Sequence, residues 1–320
     1  MPDPKTLIHH YMKTSKTQPT RLDDHPSLFR KLATAVAAAG VARAFFPGAL
    51  FAGALLIAAG PAMAQTAPAA TRPCPEAVKA ELLQGDLSRF AARFGRSRSL
   101  KIVTIGSSST AGAGATSPAN SYPNQLEDDL LRRFPGHDID VVNAGANGQE
   151  VPDMLVRLDR DVLAYKPDLV IWQFGSNGLL RGRPLAELEE GARVGIQRLK
   201  QGGAEVILMD LQHAPRIDGV AARDEVLRMM ERLSTSTGTP LFHRYRLMKA
   251  WAGTMGDGYR TMVSADQLHM TDASYRCMAG ELAARLQGAV NQLQVARLSP
   301  GRLAAAVRPP APPAGAASAP

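Results

Sequence analysis

Aromatic residues and runs of positive charge are both scarce in this sequence. Phe, Trp and Tyr make up 5% of its 320 residues, and no run of Lys and Arg is interleaved with them. Half of the net charge of +8 lies in residues 1–64, which contain seven Lys or Arg and three Asp or Glu. The remainder has 30 basic and 26 acidic residues. This composition argues against a nucleic-acid partner.

Cysteine is almost absent, since the chain contains only Cys74 and Cys277. In an oxidising compartment the two can form one disulfide that joins the ends of the folded region. The alternative is two unpaired thiols, one exposed and one buried as a small apolar side chain. The spacing of the cysteines leaves both readings open.

Residues 44–60 are apolar and uncharged, and they follow Arg43 and further basic residues. Ala62-Met63-Ala64 comes directly after them, which is typical of a secretory signal peptide with cleavage after Ala64. An uncleaved anchor is the alternative, because about 17 apolar residues are near the lower limit for a membrane span. We expect an N-terminal extension and signal peptide over 1–64, and a protein located in the periplasm or secreted. The membrane is then a partner only if the leader is not cleaved.

Pro and Ala dominate residues 299–320, and no apolar periodicity in this segment can bury a face. We expect a disordered tail there. The folded part is then one domain over 65–298, with no internal repeat.

Short β-rich runs alternate with amphipathic helical runs between residues 100 and 292. This alternation predicts an α/β fold, a three-layer α/β/α sandwich around a mostly parallel sheet. Helices are predicted over 76–94 and from about 272 to 293, with further helices between the strands. Five strands are predicted, at Lys101–Gly106, Asp138–Asn143, Asp168–Phe174, Glu205–Leu211 and Pro240–His243.

The loops after the first three predicted strands contain unusual polar residues, and ligands of such sheets bind beyond these strand ends. The first loop, Gly106–Gly114, contains three serines, and a serine at a strand-to-helix turn can act as a nucleophile. It lacks the Lys of a phosphate-binding loop and does not fit G-x-G-x-x-G. The second loop contains Gly148 and the third Asn177, and a glycine N–H and an amide are suitable oxyanion donors. Each loop taken alone is also typical of an ordinary turn.

A serine nucleophile needs a base, and four histidines lie beyond residue 64. Two of them have an aspartate three residues earlier, in Asp266–His269 and in Asp210–His213. In either pair the Asp can orient the imidazole while the imidazole takes the serine proton. The spacing alone does not choose between them.

Taken together, the loops from residue 101 to about 280 resemble the motif blocks of the SGNH (GDSL-type) hydrolases. The resemblance implies a flavodoxin-like SGNH hydrolase fold with a five-stranded sheet, and it assigns Ser108 as the nucleophile. It assigns the N–H groups of Ser108 and Gly148 and the amide of Asn177 to the oxyanion hole. The Asp-x-x-His block before the last helix selects Asp266 and His269, so that Asp210–His213 becomes structural or part of a substrate loop.

Two positions depart from the family pattern. Ser107 stands where the motif usually has Asp, and Gly178 where it often has a second Asp. Neither position supplies the nucleophile, the base or an oxyanion donor, so we expect an active enzyme. The G-x-S-x-G signature of α/β-hydrolases does not occur around these serines.

The expected function is therefore hydrolysis of carboxylic esters by an exported serine esterase through a Ser-His-Asp triad and an acyl-enzyme. No metal or organic cofactor is implied. Export favours a small-molecule or glycan ester as substrate, such as an O-acetyl group on a glycan. Two alternatives remain open: an acyltransferase that uses a sugar hydroxyl in place of water, and a glycan-binding module that keeps the fold without turnover.

Overall fold

The structure is a computed structural model that describes residues 74–75 and 82–298. The predicted leader, the cleavage after Ala64 and the predicted tail over 299–320 lie outside the described residues. The domain boundaries therefore stay predictions.

A single sheet of six strands lies at the centre of the described region. Its order is β1-β6-β5-β4-β2-β3, and the pairing is parallel except where β1 meets β6 at one edge. The five predicted strands correspond to β2 to β6, so the mostly parallel sheet is confirmed with one more strand than expected. The strands are β1 Leu83–Gln84, β2 Ser99–Gly106, β3 Asp138–Gly145, β4 Leu169–Gln173, β5 Glu205–Met209 and β6 Leu241–Phe242.

Helices connect the strands and continue beyond the last one. None of the helices among the described residues is long and apolar enough to cross a membrane. Short 3₁₀ segments lie at Pro118–Asn120, Leu163–Tyr165 and Gly256–Met262. The α-helices are α1 Ser88–Phe94, α2 Ser108–Ala111, α3 Tyr122–Arg133, α4 Val151–Asp161, α5 Ser176–Leu180, α6 Leu185–Gln201, α7 Pro215–Asp218, α8 Arg223–Thr237, α9 Arg244–Met255 and α10 Asp272–Leu298.

Two separate apolar cores cover the two faces of the sheet, because successive side chains of a strand point to opposite faces. Ile171 of β4 packs in the core formed with α1, α3, α9 and α10. Its neighbour Trp172 packs in the core formed with α4, α6 and α8. Gly195 of α6 allows this second contact, since a Cβ there would lie 2.1 Å from the Trp172 ring. The predicted three-layer sandwich is confirmed.

Within the described residues, the predicted helix over 76–94 is confirmed only for Ser88–Phe94 and is wrong before it. Leu83–Gln84 forms β1, and only Ser88–Phe94 is helical. Gly85 turns the chain between them with φ +114°, and a Cβ there would lie 2.9 Å from Pro240 Cα. The Asp86 carboxylate then accepts hydrogen bonds from the N–H and the hydroxyl of Ser88, the first helical residue, both at 2.8 Å, which satisfies one of the free N–H groups at the start of the helix. Pairing with β6 thus replaces the predicted helix at Leu83 and Gln84.

A disulfide joins Cys74 to Cys277, with the two Cα atoms 5.4 Å apart. Cys277 is buried in α10, the helix that follows the predicted base. Of the two readings that the sequence leaves open, the structure therefore shows the bridge.

Candidate active site

Ser108 is the first residue of α2 and directly follows the turn that ends β2. It is half-buried, whereas the neighbouring Ser107 and Ser109 are only 3% and 1% exposed. The α2 helix lies so close to the end of β3 that a Cβ on Gly145 would be only 2.1 Å from the Ala111 N atom. The local packing thus leaves Ser108 as the accessible hydroxyl of the three.

His269 contacts both Ser108 and Asp266. Its Nε2 lies 2.7 Å from the Ser108 Oγ, and its Nδ1 is hydrogen-bonded to the Asp266 Oδ2. Because a carboxylate can only accept, Nδ1 carries the proton and Nε2 presents its lone pair to the serine hydroxyl. Such a chain can withdraw a proton from the serine and stabilise the resulting imidazolium.

Asp266 is itself held by its own loop. The other carboxylate oxygen, Oδ1, accepts hydrogen bonds from the Ser264 hydroxyl at 2.5 Å and from the backbone N–H groups of Leu268 and His269 at 3.0 and 2.9 Å. Burial raises the pKa of Asp266, but these hydrogen bonds and the one from the imidazole outweigh it and hold the pKa well below its usual range. The carboxylate facing His269 is therefore ionised at neutral pH.

The loop that presents this pair is a tight turn closed by hydrogen bonds. The Ser264 N–H donates to the His269 carbonyl at 2.8 Å. Gln267 adopts φ +60°, which is uncommon for a residue other than glycine, and its carbonyl accepts from the Arg216 N–H at 3.1 Å. These bonds bring Asp266 and His269 to the same side of the turn.

Asp210 and His213, the second pair of that spacing, do not contact each other as a dyad. The Asp210 Oδ1 accepts from the Tyr245 N–H at 2.8 Å, and its Oδ2 lies 3.5 Å from His243 Nδ1. His213 faces another carboxylate, with its Nδ1 2.8 Å from the Asp218 Oδ2. The geometry thus favours Asp266 and His269, whose catalytic roles stay predictions.

The predicted oxyanion donors lie on adjoining segments: Gly148 in the loop after β3 and Asn177 in the first turn of α5. Gly148 has φ +74°, and its carbonyl accepts from Arg181 Nη1 at 3.0 Å. The Asn177 Nδ2 donates to the carbonyl of Gln149, the residue after Gly148, at 2.9 Å. The loop of Gly148 is therefore fixed to the start of α5, while the assignment of both residues as donors stays a prediction.

Arg157 links the loop of Gly148 to the strand that leads to Ser108, and the sequence did not point to this residue. The side chain is 8% exposed; its Nε donates to Gln149 Oε1 at 2.6 Å and its Nη2 to the Gly106 carbonyl at 3.2 Å. Burial lowers the pKa of Arg157, and the ion pair with Asp161 opposes that shift. No local motif signals these contacts, because Gly106 is 51 positions away.

A family model described as the non-GDSL lipase-like family matches residues 73–292. The chain belongs to this family, and the predicted resemblance to the SGNH hydrolases is confirmed.

Two curated relatives are esterases. An arylesterase of Vibrio mimicus is 32% identical over 116 residues, which are 36% of this chain and 56% of the relative. Esterase TesA of Pseudomonas aeruginosa is 35% identical over 80 residues, which are 25% of this chain and 40% of the relative. The chain thus spans about half the length of the curated relatives it matches.

Solved structures with the same fold include a lipase/acylhydrolase from Enterococcus faecalis, with a TM-score of 0.52 and 25% identity over 59% of this chain and 96% of that chain. A two-domain esterase active on acetylated mannans has a TM-score of 0.56 and 20% identity, and the match covers 65% of this chain and 54% of that chain. The second likeness concerns the fold alone.

Replacing Gly114 with Ala should slow any reaction that depends on His269. Gly114 has φ +89°, and an added Cβ would lie 2.4 Å from the Met270 carbonyl oxygen and 3.0 Å from His269 Cβ. The base must then shift, and we expect kcat/KM to fall by about ten- to a hundredfold. The matched control is Gly203→Ala, because Gly203 has the same φ and an added Cβ there would have no atom within 4 Å. Equal activities of the two variants would contradict a steric role for Gly114.

The pH dependence should report one titrating group on the acid side. An imidazole base must be neutral, whereas Asp266, with its lowered pKa, stays ionised above about pH 4 and adds no second limb. We expect the wild-type kcat/KM to rise tenfold per pH unit and then level off. Asp266→Asn should lower the rate about 10³- to 10⁴-fold by favouring the wrong tautomer. Profiles of both proteins on one soluble ester test this, and a flat wild-type profile would remove His269 from its role.

Proposed function

We propose that this protein is an exported serine esterase that hydrolyses carboxylic esters, including O-acetyl esters of glycans, through an acyl-enzyme on Ser108. One observation carries the proposal. The hydrogen-bond chain from Ser108 Oγ through His269 to an ionised Asp266 is the arrangement that activates a serine hydroxyl.

In the proposed reaction, His269 Nε2 takes the proton of the Ser108 hydroxyl while Oγ attacks the carbonyl carbon of the ester. The negative charge that develops on the carbonyl oxygen is stabilised by the N–H groups of Ser108 and Gly148 and by the Asn177 amide. The intermediate collapses, and the imidazolium gives its proton to the leaving alcohol. Water then attacks the acyl-enzyme by the same steps, which releases the acid and regenerates the serine.

The similarity to the arylesterase and to esterase TesA supports ester hydrolysis. The glycan substrate is an extension of our own. An enzyme outside the cytoplasm meets O-acetylated polysaccharides, and a protein of the same fold is active on acetylated mannans. A panel of aryl acetates, longer acyl esters, thioesters and acetylated oligosaccharides would rank these substrate classes by kcat/KM.

Substitutions in the proposed triad test the mechanism. We expect Ser108→Ala to abolish turnover, while Ser107→Ala and Ser109→Ala keep measurable activity. His269→Ala should lose at least about a hundredfold, the usual scale of general-base catalysis, and His213→Ala much less. Steady-state rates on one soluble aryl ester compare all five variants with the wild type. The reverse order of the two histidine variants would mean that the base is His213.

Export is a separate part of the proposal, and the disulfide between Cys74 and Cys277 supports it because such bonds persist in oxidising compartments. In a Gram-negative host we expect periplasmic protein that begins at Gln65 and contains no free thiol. Intact-mass measurement before and after thiol alkylation tests both features at once. Full-length protein in the membrane fraction would indicate an anchor instead, and free Cys277 in the exported protein would contradict the bridge.

A further inference from the structure

Gln173 is the one polar residue of β4, and it lies at the carboxyl end of the strand. The other four residues of β4 are apolar and fully buried, and Gln173 is also 0% exposed. Burying an amide is unfavourable unless it forms hydrogen bonds. In the described part of the chain its Nε2 has no partner, so the compensation comes from its oxygen.

The Gln173 Oε1 accepts three hydrogen bonds from residues 107–110, the turn that contains Ser108 and is called the nucleophile turn below. The donors are the Ser107 N–H at 3.0 Å, the Ser107 hydroxyl at 3.1 Å and the Thr110 hydroxyl at 3.2 Å. A backbone N–H can only donate, so the atom that faces it is the amide oxygen. Ser107 and Thr110 lie on either side of Ser108 in the chain. One buried oxygen therefore fixes both ends of the turn that presents the nucleophile.

The backbone is shaped to permit this contact. A Cβ on Gly106 would lie 2.1 Å from Thr110 Oγ1 and 2.8 Å from Gln173 Oε1, so a side chain at this position would occupy the space between them. Ser107 is the N-cap residue of α2, yet its hydroxyl makes no capping bond and instead donates to Gln173. A serine hydroxyl can donate in this way, which the ionised Asp usual at this motif position cannot.

We propose that Gln173 is a positioning residue for the nucleophile: its amide oxygen holds Ser107 and Thr110 so that the Ser108 hydroxyl stays within reach of His269. This inference rests on the proposed function, because it assumes that Ser108 reacts. It adds a residue from the centre of the sheet that touches neither the substrate nor the reacting atoms.

Comparing Gln173→Met with Gln173→Glu separates the effect of the acceptor oxygen from the effect of the side-chain volume. Met removes the oxygen at similar length, whereas a protonated Glu keeps a carbonyl oxygen at nearly the same place. The readouts are the rate constant for labelling of Ser108 by a fluorophosphonate, and kcat and KM on a soluble aryl ester. For Met we expect labelling and kcat to fall about ten- to a hundredfold at nearly constant KM, as misplacement of a reacting group does. Glu should restore most of the rate.

Substitution of Thr110, which donates to the Gln173 oxygen, gives a second test that leaves β4 unchanged. Thr110→Val removes the donor at constant shape and should slow labelling, whereas Thr110→Ser keeps the hydroxyl and should label nearly as fast as the wild type. This pair decides the question if Gln173→Met does not fold. The control is Ser234→Ala, a buried hydroxyl that donates to the Thr239 carbonyl at 2.6 Å. It should lower the melting temperature without changing the labelling rate.

The outcomes separate this inference from the proposed function. A folded wild type that neither labels at Ser108 nor turns over esters would overturn the proposed function, and the positioning role with it. A wild type that labels, together with Gln173→Met labelling at the same rate, would overturn the positioning role alone. A folded Gln173→Glu as slow as Gln173→Met would also count against it, because the acceptor oxygen would then not be the feature that matters.

Discussion

The parallel pairing of β2 with β4 is the constraint on which the site depends. The two strands are neighbours in the sheet although β3 lies between them in the chain. Strand order reverses at this point, and the crevice beyond the carboxyl ends is where open α/β sheets bind ligands. Ser108 follows β2 and Asn177 follows β4, so both reach the same crevice. Had β3 been inserted between β2 and β4, Gln173 could not contact the nucleophile turn.

Buried polar groups connect the loops beneath this crevice. Arg244 is fully buried and donates to Gln212 Oε1 at 2.9 Å, and the same oxygen accepts from the Ser176 hydroxyl at 2.8 Å. The Gln212 Nε2 donates to the Leu268 carbonyl at 3.3 Å. One network of hydrogen bonds thus holds together the turn of His269 and the segments that follow β4, β5 and β6. The bonds that are formed rigidify the site, whereas Arg244 Nε and Nη1 have no hydrogen-bond partner among the described residues, which is a cost of burying this side chain.

The fold was largely predictable from the sequence because β4 and β5 are nearly continuous apolar runs and the helices α3, α6 and α8 each show one apolar stripe. The triad geometry was predictable from spacing only in part. Both Asp-x-x-His pairs fit equally well, and the motif order, not the spacing, selected the pair that lies against Ser108. His213 instead faces Asp218, the last residue of α7, which follows it closely in the chain. The edge strand β1 was missed because two residues paired with β6 leave no periodic pattern.

Contacts with distant residues were the part that the sequence could not supply. Arg157 reads as one more charge on an amphipathic helix, and only the structure shows it against the Gly106 carbonyl. Gln173 is visible in the sequence as the single polar residue of an apolar strand, but its hydrogen-bond partners lie more than 60 positions earlier and cannot be read from it. Ser264 was more accessible to local reasoning, since a serine two residues before an aspartate commonly hydrogen-bonds within the same turn.

The disulfide also sets an order of events during maturation. Its cysteines are separated by 203 positions, and Cys277 is synthesised only after all six strands of the described region. Closing so long a loop before the sheet exists is entropically unfavourable, whereas the assembled α10 holds Cys277 at a fixed place. We therefore expect the bridge to form after the sheet and the final helix have come together, so that the oxidised bridge marks folded molecules.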